Sequence, residues 1–255
     1  MIVSTDAVVL RSMKYGDTSK IVTFYSEKFG KIKAVAKGAR GSKSKYGASL
    51  EPMTHSSIIF YMKEQRDLHL LSKCEIAQQF LSLNREGDKM SAGLAVVELT
   101  NMVMHDEEEN GQLFRLLVEA LRSIDRAAKN FTNIFIAFEL RLFEILGYGL
   151  ILDHCTRCGR DLVQEQKKVP VFILLASGAA VCSDCHSREN TGGVRMSPGA
   201  VGLMCQVMSS PMGSAEEYQL SPSMRDETFA ILHTYLKYHV EGVRTLRSLS
   251  MFSSL

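Results

Sequence analysis

Residues 21–36, IVTFYSEKFGKIKAVA, have the pattern of a β-hairpin. The segment opens with a run of β-branched and aromatic residues, which favour a strand. A turn follows and ends at Gly30, where a residue without a Cβ can adopt positive φ. Beyond the turn, Lys31 and Lys33 alternate with Ile32 and Ala34. Because side chains alternate across a strand, this hairpin predicts a sheet with one charged and one apolar face.

Further short apolar segments lie on both sides of the hairpin within the first 75 or so residues, which gives five strands in all. Five short strands in a segment of this size fit a small closed barrel, and the OB-fold is the commonest such barrel. We therefore predict an OB-fold β-barrel over residues 1–79. The additional strand segments are residues 7–10, 57–62 and 68–71.

The apolar spacing beyond the barrel changes to that of helices. The clearest helix is predicted for residues 131–146, where apolar residues recur every three or four positions. Ser197 followed by Pro198 is a helix start signal, and a last helix is expected over about residues 224–239. The chain is therefore predicted to be an α+β protein, with a helical domain over residues 80–255.

Charge is distributed unevenly along the chain. The 255 residues are 45% hydrophobic and 23% charged, close to the average for globular proteins, and no stretch is compositionally monotonous. This excludes collagen-like and largely disordered classes. The net charge is only +2, yet residues 1–80 carry +6 and residues 81–255 carry −4. Such asymmetry indicates a polyanionic partner for the amino-terminal part.

The sequence predicts a cytoplasmic protein without a membrane partner. The apolar start of the chain has no cationic leader and contains Asp6, unlike a signal peptide. The longest apolar stretch, residues 169–182, contains Pro170 and is too short to span a bilayer. Thiols stay reduced in the cytoplasm, so the six cysteines are interpreted as metal ligands or core residues before disulfides.

Two Cys-x-x-Cys pairs, Cys155 with Cys158 and Cys182 with Cys185, predict a metal centre within a module at about residues 153–190. Each pair can form a tight knuckle that points both thiolates at one ion, and two knuckles complete a tetrahedron. The gap between the pairs holds two apolar segments that can form a hairpin. Four thiolates leave no open coordination position, so we predict one structural zinc ion. A redox dithiol or accidental pairing is the alternative.

A basic run occupies residues 28–45, with seven cations and no carboxylate. Tyr25, Phe29 and Tyr46 lie within or beside it. Cations follow a phosphate backbone and aromatic rings stack on unpaired bases, so the run is a candidate nucleic-acid site. The alternative is a solvated loop with a basic face. The cations are Lys28, Lys31, Lys33, Lys37, Arg40, Lys43 and Lys45.

Enzyme motifs are missing from the sequence. It contains no His-Glu-x-x-His, no Gly-x-Gly-x-x-Gly and no nucleophile elbow, and residues 38–45 lack the spacing of a phosphate loop. A zinc hydrolase needs an open coordination position, which a four-cysteine site does not offer. An RNA-binding OB/zinc protein in translation or RNA processing stays open, because stacking and phosphate contacts serve RNA as well as DNA.

Four segments, in their order along the chain, resemble the RecO family of bacterial DNA repair and recombination mediator proteins. The second of them is followed by Ser44 and by Leu50-Glu51-Pro52, which also match the family pattern. Together the segments span nearly the whole chain. They are residues 15–22 (YGDTSKIV), 30–40 (GKIKAVAKGAR), 138–148 (FELRLFEILGY) and 239–249 (HVEGVRTLRSL).

The resemblance implies an amino-terminal OB-fold, a helical carboxyl-terminal domain with a zinc module, and no catalytic turnover. It implies binding of single- and double-stranded DNA, annealing of complementary strands, and action with RecR to load RecA onto strands coated by single-strand-binding protein (SSB). It also implies binding of the acidic, hydrophobic SSB tail, for which Arg141 is the candidate because Ile136 stands where some members have a basic residue. A bacterial, nucleoid-associated location follows. The family's DNA-binding stretch corresponds to Lys31, Lys33, Lys37, Arg40, Lys43 and Lys45.

Overall fold

The chain forms two compact units. One comprises Met1–Arg126 together with the segment that begins at Leu246, and the other comprises Ala127–Thr245. The barrel ends at Gln78, and the two helices that follow belong to the same compact unit. The division into domains at residue 79 stays a prediction. The computed structural model describes residues 1–62, 67–163, 170–189 and 192–248.

The first unit contains a closed five-stranded barrel with the strand order β1-β2-β3-β5-β4, which confirms the predicted OB-like fold. Neighbouring strands are antiparallel except for the parallel pair β3 and β5. Buried side chains such as Phe24, Ile32 and Phe60 fill its interior. The strands are β1 (Ile2–Tyr15), β2 (Ser19–Ser26), β3 (Gly30–Ala36), β4 (His55–Tyr61) and β5 (His69–Gln78).

The first strand is much longer than the predicted segment of residues 7–10. Its first half pairs with β4 and its second half with β2, and the register shifts between Val9 and Arg11. An irregularity of this kind bends a strand, so one strand can follow two sides of a closed barrel. The added length is rich in polar residues, which hid it from a search for apolar runs.

Two helices complete the first unit, α1 (Gly87–Val103) and α2 (Gly111–Arg126). Both contact β1 on the outside of the barrel. The carboxylate of Asp125 accepts hydrogen bonds from the backbone N–H groups of Ser82 and Leu83, at 2.8 and 3.0 Å. The connection from barrel to helices is thereby fixed to the end of α2. A 3₁₀ turn lies at Gly47–Leu50.

The second unit combines helices with a small sheet of order β7-β6-β8. The helix predicted at residues 131–146 is confirmed, and so is a hairpin between the cysteine pairs. The predicted start at Ser197 is confirmed as well, because its Oγ accepts a hydrogen bond from the Ala200 N–H. The elements are α3 (Phe131–Ile145), β6 (Val171–Leu174), β7 (Ala179–Cys182), α4 (Ser183–Glu189), β8 (Val194–Met196), α5 (Pro198–Ser209) and α6 (Pro222–His239).

The helices were also compared with the length and hydropathy of membrane spans. Within the described ranges, none is long and apolar enough to cross a bilayer.

Candidate nucleic-acid interface and metal centre

The four paired cysteines converge on one point. The sulfur atoms of Cys155, Cys158, Cys182 and Cys185 lie within 4.8 Å of one another, and those of Cys158 and Cys182 are 3.8 Å apart. Zinc–sulfur bonds of about 2.3 Å in a tetrahedron place the sulfurs about 3.8 Å from one another. The predicted cluster is confirmed, and its geometry can hold a metal ion.

The backbone around the cysteines shapes this cluster. Gly159 has a φ of +73° and donates its N–H to the Cys155 carbonyl at 2.8 Å, which closes the first knuckle. Burial raises the pKa of Cys155, but backbone N–H groups of Cys182, Cys158 and Arg157 outweigh it and lower that pKa to about 6. Backbone N–H groups directed at a sulfur favour its thiolate form, which is the form that binds metals.

The two histidines beside the cysteines take part in other contacts. The Nδ1 atom of His154 lies 2.8 Å from an Asp153 carboxylate oxygen. The ring of His186 stacks on Phe172 with 3.6 Å between ring centroids. Neither histidine belongs to the cluster of convergent ligand atoms, so the site is a four-thiol site.

The basic run separates into buried and exposed cations, and Lys31 belongs to the buried part. Its side chain is only 12% exposed. Its Nζ donates to the carbonyls of Asn101, at 3.1 Å, and Met104, at the carboxyl end of α1. Nζ also lies 3.5 Å from an oxygen of Asp106. Helix-end carbonyls carry partial negative charge, so Lys31 attaches α1 to the barrel.

Lys33, on the same face of β3, is also paired. Its Nζ lies 2.5 Å from Asp106 Oδ2. Burial raises the pKa of Asp106, but the ammonium groups of Lys33 and Lys31 outweigh it and hold that pKa below its ordinary value. The acidic segment approaches the strand so closely that a Cβ at Gly30 would stand 2.0 Å from the Glu108 carbonyl oxygen. An acidic segment of this chain thus occupies the place predicted for phosphate.

The other four predicted DNA-binding cations are exposed on or beside the loop after β3. Among the described residues, Lys37 and Lys43 form no ion pair. Lys45 donates from Nζ to the Ser72 carbonyl at 2.6 Å, and Nζ lies 5.2 Å from the centre of the Tyr46 ring. All four side chains remain exposed to solvent. The exposed cations are Lys37, Arg40, Lys43 and Lys45.

Arg40 fixes this loop to the turn between β1 and β2. Its backbone N–H donates to the Thr18 carbonyl at 2.8 Å. Its guanidinium donates to the carbonyls of Gly16 and Asp17, each at 3.1 Å. Three hydrogen bonds to one turn hold the cations of the loop beside the end of the β1–β2 hairpin.

The aromatic residues expected to stack on bases are occupied elsewhere. Tyr25 and Tyr46 are buried, and the Tyr46 hydroxyl donates to the Leu71 carbonyl at 3.0 Å. Phe29 packs edge-on against Phe60 with 5.6 Å between ring centroids. Tyr15 is an exposed aromatic residue of this region, and the prediction missed it because the predicted first strand ended at residue 10. The alternation of polar and apolar residues over 12–15 was the available signal.

Arg141 lies on α3 and is part-buried. Its guanidinium donates to the carbonyls of Ala137 at 3.0 Å, Val207 at 3.3 Å and Ser210. Two of these carbonyls belong to the carboxyl end of α5, which has no N–H partners within its own helix. Arg141 therefore joins α3 to α5, and its predicted role in partner binding stays a prediction.

Glu139, two residues before it on α3, is a buried carboxyl group. Burial raises its pKa to about 8, because a carboxylate loses its hydration in an apolar environment. At neutral pH this side chain is therefore protonated. The apolar periodicity of the sequence did not indicate a buried carboxyl group at this position.

Comparison with known proteins covers nearly the whole chain. A family model described as "Recombination protein O N terminal" matches residues 1–80, and one described as "Recombination protein O C terminal" matches residues 84–249. The chain is 31% identical over 254 residues to the DNA repair protein RecO of Salinibacter ruber, covering 100% of this chain and 94% of that protein. It is 32% identical over 249 residues to the DNA repair protein RecO of Streptomyces coelicolor, covering 95% and 96%. It is 27% identical over 257 residues to the DNA repair protein RecO of Chloroherpeton thalassium, covering 100% and 99%. The chain, with its OB-like barrel, helical region and four-thiol cluster, therefore belongs to the RecO family of DNA repair proteins.

Proposed function

We propose that this chain is a recombination mediator without catalytic turnover. It binds and anneals single-stranded DNA and, with RecR, helps to load RecA onto strands coated by SSB. Membership of a DNA repair family supports DNA over the RNA alternative. The observation that carries the binding step is the group of exposed cations Lys37, Arg40, Lys43 and Lys45, beside one end of the barrel.

These cations suit contact with phosphates rather than with particular bases. Lys and Arg neutralise phosphates, whereas Asn and Gln side chains are well matched to adenine edges. Binding of this kind positions a strand without reading its sequence. Annealing brings two polyanions together, so neutralisation of phosphates lowers the repulsion between them. Family resemblance extends the binding to double-stranded DNA, and we expect the protein to act in the cytoplasm at the nucleoid.

We propose that the four-thiol cluster holds one structural zinc ion. Convergence of the four sulfur atoms, at a spacing close to that of a zinc tetrahedron, supports this. A bound zinc ion would supply cross-linking of the two knuckles and no chemistry toward a substrate, because four thiolates fill its coordination. The ion pair between Arg160 and Asp184, at 2.8 Å, joins the same two segments from outside.

We propose Arg141 as a contact for the carboxylate of the SSB tail. A guanidinium has five N–H donors, and three contacts to carbonyls leave donors for a further acceptor. Arg141→Lys should keep the charge but lose bidentate contact, and so weaken tail-peptide binding in calorimetry. The thermal unfolding of the variant separates this effect from loosening of α5. Unchanged peptide affinity would remove Arg141 from the interface.

The function is tested by annealing of complementary strands, naked and coated with SSB. Lys37→Ala combined with Arg40→Ala should slow annealing of both, whereas Lys129→Ala with Lys237→Ala, exposed cations of the second unit, should not. Wild-type annealing rates in the first double variant would contradict the proposal. Competition between DNA and RNA oligomers of one sequence tests the alternative, and a clear preference for RNA would favour it.

A further inference from the structure

Within the part of the chain that the structure describes, helices cover only part of the outer barrel surface. Val8 and Tyr25 are paired across β1 and β2 and lie outside the interior core cluster, yet both are fully buried. The helices α1 and α2, which contact β1, lie over this part of the surface. Farther along the same strands, toward the β1–β2 turn, the side chains of the outer face are exposed or half-buried instead of buried.

The uncovered part of β1 presents three alternate side chains to solvent. Arg11, Met13 and Tyr15 lie on the outer face, and Met13 and Tyr15 are 42% and 50% exposed. Met13 is paired with Ile21 on β2, and Ile21 with Val35 on β3. A contiguous row of partly exposed apolar side chains is typical of an interaction surface.

The row continues around the barrel. Val35 is paired with Leu70 on β5, and Leu70 with Tyr61 on β4, whose side chain is 42% exposed. Adjacent strands are about 4.8 Å apart, so Met13 and Tyr61 are roughly 19 Å from each other along the sheet. Tyr15 and Tyr61 therefore reach different points of an extended occupant.

Cations adjoin this surface at the β1–β2 turn. Tyr15 precedes Gly16 and Asp17, whose carbonyls accept the two hydrogen bonds of Arg40. Lys37 directly follows the end of β3, two residues after Val35. Asp17 is the carboxylate of this turn. Exposed aromatic rings next to cations complement an occupant that carries both flat apolar groups and negative charge.

We propose that Tyr15 and Tyr61 are base-stacking residues for an unpaired nucleic-acid strand, with Met13, Ile21 and Val35 as an apolar floor and Lys37 and Arg40 on its phosphates. A single strand exposes its bases, and each base has a π face, so stacking on tyrosine does not depend on sequence. The inference rests on the proposed function. It adds base stacking to the phosphate contacts through which the protein is proposed to bind DNA.

The test compares a labelled thymidine oligomer with an abasic oligomer of equal length by fluorescence anisotropy. Tyr15→Ala should lower affinity for the thymidine oligomer about 5- to 150-fold and leave abasic binding unchanged. Tyr61→Ala should act in the same direction. Tyr15→Phe, which keeps the ring, should restore binding, and Tyr238→Ala, a 57% exposed tyrosine on α6, should have no effect.

Each other outcome removes the inference. Equal loss on both oligomers would mean that Tyr15 only supports the basic loop, and no loss on either would mean that it does not contact DNA. A wild-type dimer in sedimentation that Tyr15→Ala dissociates would assign the surface to a second copy of the chain. If both oligomers bind in a salt-dependent way and Tyr15→Ala has no effect, the stacking inference is refuted but the proposed function is not. A folded wild-type chain that binds neither oligomer refutes the proposed function itself.

Discussion

Replacing Lys37 and Arg40 together by alanine should flatten the salt dependence of single-stranded DNA binding. Each phosphate that a cation neutralises releases condensed counterion, so the logarithm of the binding constant falls with the logarithm of salt concentration by about 0.7 per contact on single strands. The structure decides how many contacts to count. Lys31 and Lys33 already contact Asp106, which leaves four exposed cations of the predicted six.

Four contacts give a slope of about −3, and removal of two should bring it to about −1.4. Between 50 and 200 mM salt, wild-type affinity should therefore fall about 50-fold and that of the double variant about 7-fold. Had Lys31 and Lys33 been free, the wild-type slope would have been about −4. The difference between these slopes makes the count of exposed cations measurable.

The assay is fluorescence anisotropy over a series of salt concentrations, with two oligomers of equal length and unrelated sequence. Lys129→Ala with Lys237→Ala makes the same charge change in the second unit and should leave the slope near −3. Arg40→Lys keeps the charge but loses the fork of bonds to the β1–β2 turn, and should also keep the slope. An unaltered slope in the Lys37 and Arg40 double variant would place the DNA-binding surface elsewhere. Loss on one oligomer alone would show base reading.

Four further substitutions have expected outcomes. Lys31→Met should lower the free energy of unfolding by about 1–3 kcal/mol in denaturant titrations without changing the salt slope, because the Lys31 donors face carbonyls rather than solvent. Asp106→Asn should instead steepen the salt slope by about 0.7, because Lys33 becomes free, and should lower the free energy of unfolding by less than about 1 kcal/mol. Cys155→Ser should abolish zinc in metal analysis of protein purified under reducing conditions and destabilise the second unit, since structural zinc couples binding to folding, while the salt slope of the barrel stays unchanged. Because burial raises the pKa of Glu139, the contribution of this group to the free energy of unfolding is greatest below the unfolded pKa of about 4.3 and is lost as pH rises toward 8. Glu139→Gln should remove this loss, so the stability of the variant relative to wild type should rise by up to about 1.4 kcal/mol per pH unit between pH 5 and 8. Parallel pH profiles of the two proteins would show that the carboxyl group is not protonated in the fold.

Features with local causes could be predicted from the sequence. The turn at Gly30, the alternation through Lys31 to Ala34 and the two Cys-x-x-Cys spacings each depend on a few neighbouring residues. Backbone geometry then specifies a hairpin or a knuckle before the rest of the chain is considered. The closed barrel and the four-thiol cluster were predictable for this reason.

Features that depend on distant parts of the chain could not be predicted in this way. The partners of Lys31 follow it by about 70 residues, and nothing in the basic run indicates that α1 ends against it. Arg141 likewise donates to carbonyls 66 and 69 residues away, although the family resemblance suggested it as a contact for a partner. The length of β1 was missed because residues 11–15 at its end include Arg11, Ser12 and Lys14, and an apolar run was the criterion.

The basic run shows how one charge pattern serves two purposes. At its start, the strand lies against α1 and the acidic segment, so Lys31 and Lys33 meet carbonyls and Asp106, and their charge stabilises the unit. At its end, the chain leaves the barrel beside the β1–β2 turn, where Arg40 attaches the loop and no helix of the described ranges covers it. The boundary between structural and exposed cations is therefore set by where α1 and α2 end on the barrel. A RecO chain in which the acidic segment was shorter would expose more of β3, and its salt slope should steepen accordingly.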